Sequence, residues 1–383
     1  MTSWTLAPVP RIVAGAGLVE RLGELVSPLV PAGGAVLLVA DPGLAATATT
    51  DAAVASLRRA GLGVLVFAAF RRDPGLAEPA AAAAPARRER AAGVVALGGG
   101  SAMDLAKAAA AVAADDLPAE RYALCATPLP ARPLAKICLP TTAGTGSETT
   151  RTSVLTDADG SKLWLWGDAL KADLVLLDPV PSTSLPPPLT AATGIDALVH
   201  AIEATTNRNA QEANDLYAHE AIRLAVRWLP AATAEPANLE ARAQMLRAAA
   251  LAGVAIDNCS TSIAHNIAHA LGSLRPIHHG RAVGLAMLAT LPWNTEAGDP
   301  RFAAVARLMG AADAGELAAA FDRLLRPLGI RIALMGEGHD DLTPERLARQ
   351  MARPENAPMR EANRRPVGEE DLLRFARTML TQI

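Results

Sequence analysis

The chain has 383 residues, of which 51% are hydrophobic and 20% charged, and this composition excludes disorder throughout. Its length accommodates about two or three globular domains. The formal net charge of −3 gives no sign of the basic surface that binds nucleic acids or anionic membranes. The three cysteines are widely spaced, which excludes a disulfide scaffold and a thiolate zinc site and favours a reducing compartment.

The N-terminal sequence has no basic segment followed by an apolar core, so we expect no signal peptide. Every long alanine-rich stretch is interrupted by charged residues, so no segment has the length and apolarity that a membrane span requires. A cytoplasmic protein is therefore expected.

In the first half of the chain, apolar runs rich in valine and leucine alternate with alanine-rich stretches. This alternation predicts βαβ units and a mainly parallel sheet. Helices are predicted after Gly43 and before Gly93, and Trp164 and Trp166 are interpreted as ordinary strand residues. The predicted strands are 35–40, 62–67 and 93–97, and further candidates for the same sheet are 136–139, 153–155 and 173–177.

Three consecutive prolines, Pro186 to Pro188, mark a boundary because they cannot lie inside a helix. Beyond them the pattern is helical almost to the C-terminus, and a polar loop is predicted over 354–366 before a last helix. The predicted helical stretches lie around 190–205, 211–228, 238–256 and 261–272. We therefore predict an α/β domain over residues 1–185 and an all-helical domain over residues 186–383.

A glycine-rich segment, Gly98-Gly-Gly-Ser101, follows the predicted strand 93–97 and opens a predicted helix. Glycines let a diphosphate approach the backbone closely, and the Ser101 hydroxyl and the free amides of the helix can bind its oxygens. The same segment could instead be a tight turn that packs a helix against the sheet.

A loop rich in threonine, serine and glycine spans Pro140 to Thr150 and suits a nucleotide, although a solvated loop would have a similar composition. Asp41 directly follows the predicted strand 35–40. A carboxylate at that position can accept hydrogen bonds from ribose hydroxyls and repel a 2′-phosphate, which favours NAD over NADP. Alternatively, Asp41 before Pro-Gly only forms a turn.

Carboxylate and imidazole side chains recur at helical spacing in the second half of the chain. One histidine in an apolar helix is usually a core residue, but a carboxylate with several imidazoles favours a divalent metal site for iron(II) or zinc. The spacing does not decide which of the later histidines are ligands. The residues are Asp196 and His200 at i and i+4, His265 and His269 at the same spacing, and the adjacent His278 and His279.

These motifs, in this order, resemble the iron-containing (group III) alcohol dehydrogenase family over nearly the whole chain. The resemblance implies a Rossmann-like dinucleotide-binding domain followed by an all-helical metal-binding domain, an architecture similar to that of dehydroquinate synthase. It also implies NAD and a divalent metal, first Fe²⁺ and second Zn²⁺, as cofactors. The implied metal ligands are Asp196, His200, His265 and His279. His269 is implied to lie beside the reacting carbon or the nicotinamide as a proton relay, and His278 has no fixed role.

The same resemblance implies contacts with NAD at Asp41, Gly98, Gly99, Ser101, Asp104, Thr141, Thr142, Ser147, Thr150 and Lys162. Lys162 is one of only four lysines in the chain, and its ammonium group could bond ribose hydroxyls. Lys107 is given no catalytic task. A cysteine that lines the pocket in many relatives corresponds to Met359 here, which leaves the substrate open.

The expected reaction is hydride transfer between NAD(H) and a small alcohol or aldehyde, with the metal as a Lewis acid. The alternatives are a zinc-dependent polyol dehydrogenase, a reductase of an anionic aldehyde such as a hydroxy-acid or phosphonate aldehyde, and a non-catalytic nucleotide-binding protein. Arg151 could supply the charge for an anionic substrate, and Asn258, Thr261 and Ser262 could form polar pocket walls. We expect a small-molecule substrate, a homodimer, and neither nucleic-acid nor membrane partners.

Overall fold

The computed structural model describes residues 4–115, 117–330, 334 and 342–381. The chain divides into two compact units. One, here called the α/β unit, comprises Pro8–Thr142 and Gly146–Ser184. The other, here called the helical unit, comprises residues 4–7, Ala143–Thr145 and the chain from Leu185 onward. No helix of the described ranges is long and apolar enough to cross a membrane.

The α/β unit is built on a parallel sheet. Its strands are β1 (Arg11–Ala14), β2 (Ala35–Ala40), β3 (Gly63–Phe67), β4 (Gly93–Gly98), β5 (Ala135–Pro140), β6 (Thr152–Thr156), β7 (Lys162–Trp166) and β8 (Leu174–Leu177). Six of them pair in the order β1-β8-β5-β4-β2-β3, and every pairing is parallel. The predicted parallel sheet is therefore confirmed.

For one predicted strand, the expected pairing with the main sheet was wrong. The segment predicted at 153–155 forms β6, but β6 pairs antiparallel with β7 in a separate two-stranded sheet instead of extending the main sheet. The hairpin forms because Ser161 and Lys162 follow a turn at Asp157 to Gly160, where Gly160 has φ +89°. The two tryptophans lie on β7, as predicted.

Helices cover the sheet on both faces, which explains why its central strands are apolar throughout. The helices of this unit are α1 (Leu22–Val26), α2 (Ala48–Arg59), α3 (Glu78–Arg88), α4 (Gly100–Ala113) and α5 (Pro179–Ser182). Val36 and Leu38 of β2 pack in one cluster with Leu22 of α1 and Leu57 of α2. The alanine-rich α3 and α4 contact β2 and β4. Strands and helices of this kind make the unit Rossmann-like, as predicted.

The helical unit contains α6 (Pro187–Thr206), α7 (Glu212–Ala234), α8 (Leu239–Cys259), α9 (Ile263–Leu274), α10 (His279–Thr295), α11 (Pro300–Leu308), α12 (Leu317–Leu325), α13 (Pro344–Met351), α14 (Ala357–Ala362) and α15 (Glu369–Thr381). The four predicted helical stretches correspond to α6, α7, α8 and α9. The three prolines lie at the N-terminus of α6, where missing amide hydrogens cost nothing. The predicted loop over 354–366 was wrong in part, because α14 lies inside it.

Helix α6 forms the centre of the helical unit. Nearly every side chain from Thr190 to Thr206 is buried, so its polar residues need partners inside the protein. The first turn of α10 lies close to α6: a Cβ atom on Gly280 would lie 1.9 Å from the carbonyl oxygen of Ala192. Only glycine permits this approach, and it brings His279 next to Asp196, one turn after Ala192.

Candidate functional site

Three imidazole rings converge on one carboxylate oxygen in the helical unit. The Nε2 atoms of His265, His279 and His200 lie 3.5, 3.6 and 3.9 Å from Oδ1 of Asp196. Asp196 and His200 come from α6, His265 from α9 and His279 from the start of α10. The structure therefore brings the four predicted metal ligands together, and the ligand atoms of Asp196, His265 and His279 lie within 4.8 Å of one another.

The donor atoms of this cluster fit a divalent cation. Oδ1 of Asp196 and Nε2 of His265 are buried, and neither atom has a hydrogen-bond partner among the described residues. Leaving such atoms unsatisfied in a protein interior is costly, and a cation placed among them would satisfy both. One carboxylate oxygen with three imidazole nitrogens suits Fe²⁺ or Zn²⁺ better than Mg²⁺ or Ca²⁺, which prefer oxygen ligands.

The electrostatics of the cluster also suit a cation. Burial is the largest influence on Asp196 and raises the pKa of its carboxyl, but the three neighbouring imidazoles outweigh it and hold the pKa below its ordinary value. Burial lowers the pKa of His200 to about 3. At neutral pH, Asp196 is therefore ionised and His200 neutral. These are the forms in which both side chains donate electron pairs to a metal.

Glu203 holds His265 and was not singled out by the sequence analysis. Its carboxylate is buried on α6 and accepts a hydrogen bond from Nδ1 of His265 at 2.6 Å. Burial lowers the pKa of His265, but the carboxylates of Glu203 and Asp196 together raise it to about 9. The position of Glu203, seven residues after Asp196 on the same helix face, was the signal available in the sequence.

His269 and His278 flank the cluster. His269 lies one turn after His265 on α9, and its ring centre lies 5.4 Å from that of His279 in an edge-to-face arrangement. His278 is the residue that precedes α10. His269 is thus placed next to a candidate ligand without joining the group around Oδ1 of Asp196.

Five of the predicted NAD contacts lie at the carboxyl ends of strands β2, β4 and β5, where ligands bind in open α/β sheets: Asp41, Gly98, Gly99, Thr141 and Thr142. Gly98 ends β4 with φ +155°, and a Cβ atom there would lie 2.8 Å from the Cβ atoms of both Asp41 and Ala102. Gly99 approaches Thr142 in the same way, at 3.1 Å from Oγ1. The turn from β4 to α4 therefore requires glycine at both positions. The turn lies directly against Asp41 on one side and against Thr142 of the threonine-rich loop on the other.

Asp104 and Ser147 bind each other. The Ser147 hydroxyl donates to Oδ1 of Asp104, and Oδ2 of Asp104 accepts from the amide of Val154 at 3.1 Å. Burial raises the pKa of Asp104 above its ordinary value, although Lys107, Ser147 and Val154 lower it. Both residues therefore hold the threonine-rich loop against α4.

Lys107 is the second residue whose importance the sequence analysis missed. It is completely buried, and its ammonium group donates to the carbonyl oxygens of Ser147, Thr150 and Thr152. The interpretation that Lys107 has no catalytic task is compatible with this arrangement, since its contacts are with the loop. The scarcity of lysine in this arginine-rich chain was the signal in the sequence that could have drawn attention to Lys107.

Lys162 joins the same region through Asp73. Its Nζ atom lies 3.4 Å from Oδ2 of Asp73 and donates to Oγ1 of Thr156 at 3.0 Å. Burial lowers the pKa of Lys162, and Asp73 opposes this shift. The amide of Asp73 in turn donates to Oγ of Ser101 at 3.1 Å. Lys162 and Ser101, predicted from distant parts of the sequence, are therefore connected by one intervening residue.

Asp41 forms the turn that the sequence analysis named as an alternative. Oδ1 of Asp41 accepts from the amide of Gly43 at 2.9 Å. The second carboxylate oxygen has no role in this hydrogen bond. The turn and the predicted contact with ribose are thus compatible.

Several secondary expectations meet other partners in the structure. Arg151 pairs with Asp168 at 3.0 Å, and its guanidinium carbon lies 4.8 Å from the centre of the Trp166 ring. Asn258 accepts from the amide of Ala7 at 2.7 Å and donates to the carbonyl of Val254 at 2.8 Å.

Met359 and Ser262 are both buried. Met359 is buried on α14. The Ser262 hydroxyl donates to Oδ1 of Asn363 at 2.8 Å, while Thr261 is half-buried before α9. None of these contacts supports an anionic-substrate role for Arg151 or a polar wall at Asn258 and Ser262.

Comparison with known proteins identifies the family. Residues 9–179 match the family model described as iron-containing alcohol dehydrogenase. Residues 190–379 match the model for the C-terminal domain of the Fe-containing alcohol dehydrogenase family. Together the two models span most of the α/β unit and the helical unit.

Similarity to individual proteins supports the same family. The choline dehydrogenase of Bacillus subtilis is 35% identical over 306 residues, which cover 79% of this chain and 76% of that protein. The NAD-dependent methanol dehydrogenase of Bacillus methanolicus is 33% identical, covering 79% and 78%. The crystal structure of sulfoacetaldehyde reductase from Bifidobacterium kashiwanohense in complex with NAD⁺ is 29% identical and superposes with a TM-score of 0.90 over 100% of both chains. The chain therefore belongs to the iron-containing alcohol dehydrogenases, a family of oxidoreductases.

Proposed function

We propose that this oxidoreductase exchanges hydride between NAD(H) and a small alcohol or aldehyde, with a divalent cation held by Asp196, His200, His265 and His279. The observation that carries the proposal is the convergence of three imidazole Nε2 atoms on Oδ1 of Asp196, which no described residue satisfies. Fe²⁺ is the first candidate and Zn²⁺ the second. The cation supplies Lewis-acid stabilisation of the negative charge that develops on the substrate oxygen.

The α/β unit binds NAD in this proposal. The glycine turn at Gly98 and Gly99 leaves room for the diphosphate at the N-terminus of α4, where free amides and the helix dipole favour negative charge. The remaining contacts are Asp41, Ser101, Asp104, Thr141, Thr142, Ser147, Thr150 and Lys162. Asp41 disfavours the 2′-phosphate of NADP by charge repulsion. The relative solved with NAD⁺ supports the choice of cofactor.

His269 is the proposed proton relay. In alcohol oxidation, the hydroxyl oxygen must lose its proton and the carbon that bears it must lose a hydride to NAD⁺, and an imidazole next to the ligand cluster can accept the proton. The edge-to-face contact of His269 with His279 supports this assignment. In aldehyde reduction the same ring returns the proton.

The proposed substrate is a small alcohol or aldehyde. Names of the relatives do not fix its charge, because choline is a cation, methanol is neutral and sulfoacetaldehyde is an anion. A reductase of an anionic aldehyde remains the second candidate, since the sulfoacetaldehyde reductase superposes on the entire chain. A zinc-dependent polyol dehydrogenase is distinguished by its metal and by activity with glycerol.

The proposal also includes the organisation of the protein. Residues 1–185 would form the NAD-binding domain and residues 186–383 the metal-binding domain. A homodimer is proposed from the family resemblance. A cytoplasmic location is proposed because Cys125, Cys138 and Cys259 are all free thiols.

The test is an assay of purified protein whose metal content has been measured. We expect about one Fe²⁺ or Zn²⁺ per chain and oxidation of NADH, in preference to NADPH, with a neutral aldehyde such as propanal. Sulfoacetaldehyde, betaine aldehyde and glycerol test the charged and polyol alternatives under the same conditions. Protein that binds no divalent metal and turns over none of these compounds would contradict the proposal.

A further inference from the structure

Glu203 combines three hydrogen bonds in the interior of the helical unit. Its Oε2 atom accepts from Nδ1 of His265 at 2.6 Å and from the amide of Ser262 at 2.7 Å. Its Oε1 atom accepts from the amide of Ala264 at 2.7 Å. The carboxylate is almost completely buried, so water does not compete for these bonds, and hydrogen bonds to a buried charged group are strong.

This arrangement determines which nitrogen of His265 carries a hydrogen. A carboxylate only accepts hydrogen bonds, so Nδ1 of His265 must be the donor. In the neutral ring, Nε2 is then left with its lone pair, and that atom faces Oδ1 of Asp196 at 3.5 Å. When a metal displaces the proton on Nε2, Glu203 therefore keeps the remaining hydrogen on Nδ1, directs the bare Nε2 toward the candidate metal position and fixes the plane of the ring.

The contacts of Glu203 continue into the C-terminal part of the chain. Ser262, whose amide Glu203 binds, donates through its hydroxyl to Oδ1 of Asn363 at 2.8 Å. Asn363 in turn donates to Oδ1 of Asn294 on α10 at 2.9 Å. The carboxylate is thus held by a buried polar network, and its position is not adjustable without breaking further bonds.

We propose that Glu203 is a positioning residue that tunes metal affinity through the tautomer and orientation of His265. The inference rests on the proposed metal site. Replacing the carboxylate by an amide is the sharpest probe. A glutamine at this position must place its NH₂ group against either Nδ1–H of His265 or a backbone N–H, so one donor faces another.

The experiment measures the Zn²⁺ dissociation constant of metal-free wild-type protein and Glu203→Gln by competition with a chromophoric chelator. We expect Glu203→Gln to bind Zn²⁺ about 10- to 100-fold more weakly, the usual effect of losing the partner of a ligating histidine. The matched control is Asp178→Asn in the α/β unit. Asp178 is a buried carboxylate that accepts from the amides of Gly17, Val19 and Val180, and none of these hydrogen bonds within the described residues involves a histidine. Its replacement should lower stability and leave the Zn²⁺ affinity unchanged.

The outcomes separate this inference from the proposed site. Wild-type protein that binds Zn²⁺ equally well with and without His200 overturns both. Tight Zn²⁺ binding by the wild type that is lost in His200→Ala but retained within twofold in Glu203→Gln overturns only the role of Glu203. If Glu203→Gln does not fold, ¹⁵N NMR of the histidine rings in Zn²⁺-loaded wild type decides: a proton on Nδ1 of His265 supports the inference, and a bare Nδ1 overturns it.

Discussion

The ammonium group of Lys107 donates hydrogen bonds to both the carbonyl oxygen and the hydroxyl of Ser147, at 2.8 and 2.9 Å. Lys107 lies on α4, the helix that the glycine turn opens, and Ser147 lies in the threonine-rich loop. A buried ammonium is costly unless it is paired and fully hydrogen-bonded, and the loop carbonyls supply these bonds. The lysine thereby couples the two segments that we propose to bind NAD.

Replacing Lys107 with methionine should therefore damage both stability and NAD binding. Lys107→Met keeps the apolar stem but leaves the carbonyls of Ser147, Thr150 and Thr152 without their donor. We expect the free energy of unfolding to fall by about 2–4 kcal/mol and the Kd for NADH to rise. Urea unfolding and fluorescence titration of NADH measure the two effects.

Lys136→Met provides the matched control. Lys136 is also a buried lysine of the α/β unit, but its ammonium group binds Asp173 and the carbonyl of Leu134, away from the threonine-rich loop. Its replacement should leave the Kd for NADH unchanged. Equal loss of NADH affinity in the two variants would contradict the role given to Lys107.

A second prediction concerns stability as a function of pH. Burial raises the pKa of Glu148 from its ordinary value of 4.5 to about 7, against smaller opposing effects of a backbone hydrogen bond and Lys107. The folded protein therefore keeps a proton that the unfolded chain has lost. Stability falls as pH rises from about 4.5 to 7, and the loss is complete above pH 7, at roughly 3 kcal/mol.

Glu148→Gln removes this titration. The free energy of unfolding of the metal-free variant, minus that of the wild type, should increase between pH 5 and pH 8, as measured by urea unfolding at each pH. The exposed Glu120→Gln serves as control, and its difference from wild type should stay flat. A flat difference for Glu148→Gln as well would mean that Glu148 is ionised throughout.

Much of the fold could be predicted because its elements have clear local patterns. The residue patterns of the apolar strand β2 and of the helices that follow the three prolines each indicate a single type of secondary structure. The strand with which a given strand pairs is harder to predict. Ser153 to Leu155 have the pattern of a strand, but only the turn before Lys162 decides that β6 pairs with β7. Likewise, α14 is too short and polar for its periodicity to predict it.

The candidate site shows the same division. The helical spacing of the carboxylate and the histidines is visible in the sequence, but the choice of the four proposed ligands among them came from the family resemblance. Glu203 and Lys107 carried weak signals in the sequence, but each acts through a contact with a residue 62 or 40 positions away, and a local pattern cannot predict such a partner. The anionic-substrate role considered for Arg151 stays a prediction, and the structure adds two partners that the sequence does not display, Asp168 and Trp166.

A third prediction tests the turn between β4 and α4. In Gly98→Ala the new methyl group would lie 2.8 Å from the Cβ atoms of Asp41 and Ala102, at a φ of +155° that side chains rarely adopt. We expect a loss of about 1–3 kcal/mol in unfolding free energy together with weaker NADH binding. Gly15→Ala is the control, since no atom lies within 4 Å of its Cβ position, and it should bind NADH as the wild type does. Normal NADH affinity in Gly98→Ala would contradict the proposed diphosphate site.

A fourth prediction concerns the choice between NAD and NADP. Asp41→Asn keeps an oxygen that can accept from the amide of Gly43 and removes the negative charge. If the charge repels the 2′-phosphate, kcat/KM for NADPH should rise about tenfold relative to NADH, a change of about 1.4 kcal/mol. Asp41→Ala additionally removes the turn hydrogen bond, so it should reduce stability as well. An unchanged cofactor ratio in both variants would show that Asp41 serves only the turn.

The last prediction tests the metal itself. His200→Ala removes one of the three rings that face Oδ1 of Asp196 and should lower both bound metal and kcat, the latter on the order of 10³-fold. Chelation of the wild type should have the same effect, and added Fe²⁺ or Zn²⁺ should restore activity to the wild type but not to the variant. His219→Ala is the control, because His219 lies half-buried on α7 beside Asp215 and Arg223 and should retain metal and activity. Since both substitutions remove an imidazole from a helix of the same unit, a difference between them isolates the ligand role from packing. A His200→Ala protein that keeps both its metal and its turnover would show that His200 is not a ligand of the catalytic cation and would contradict the proposed site.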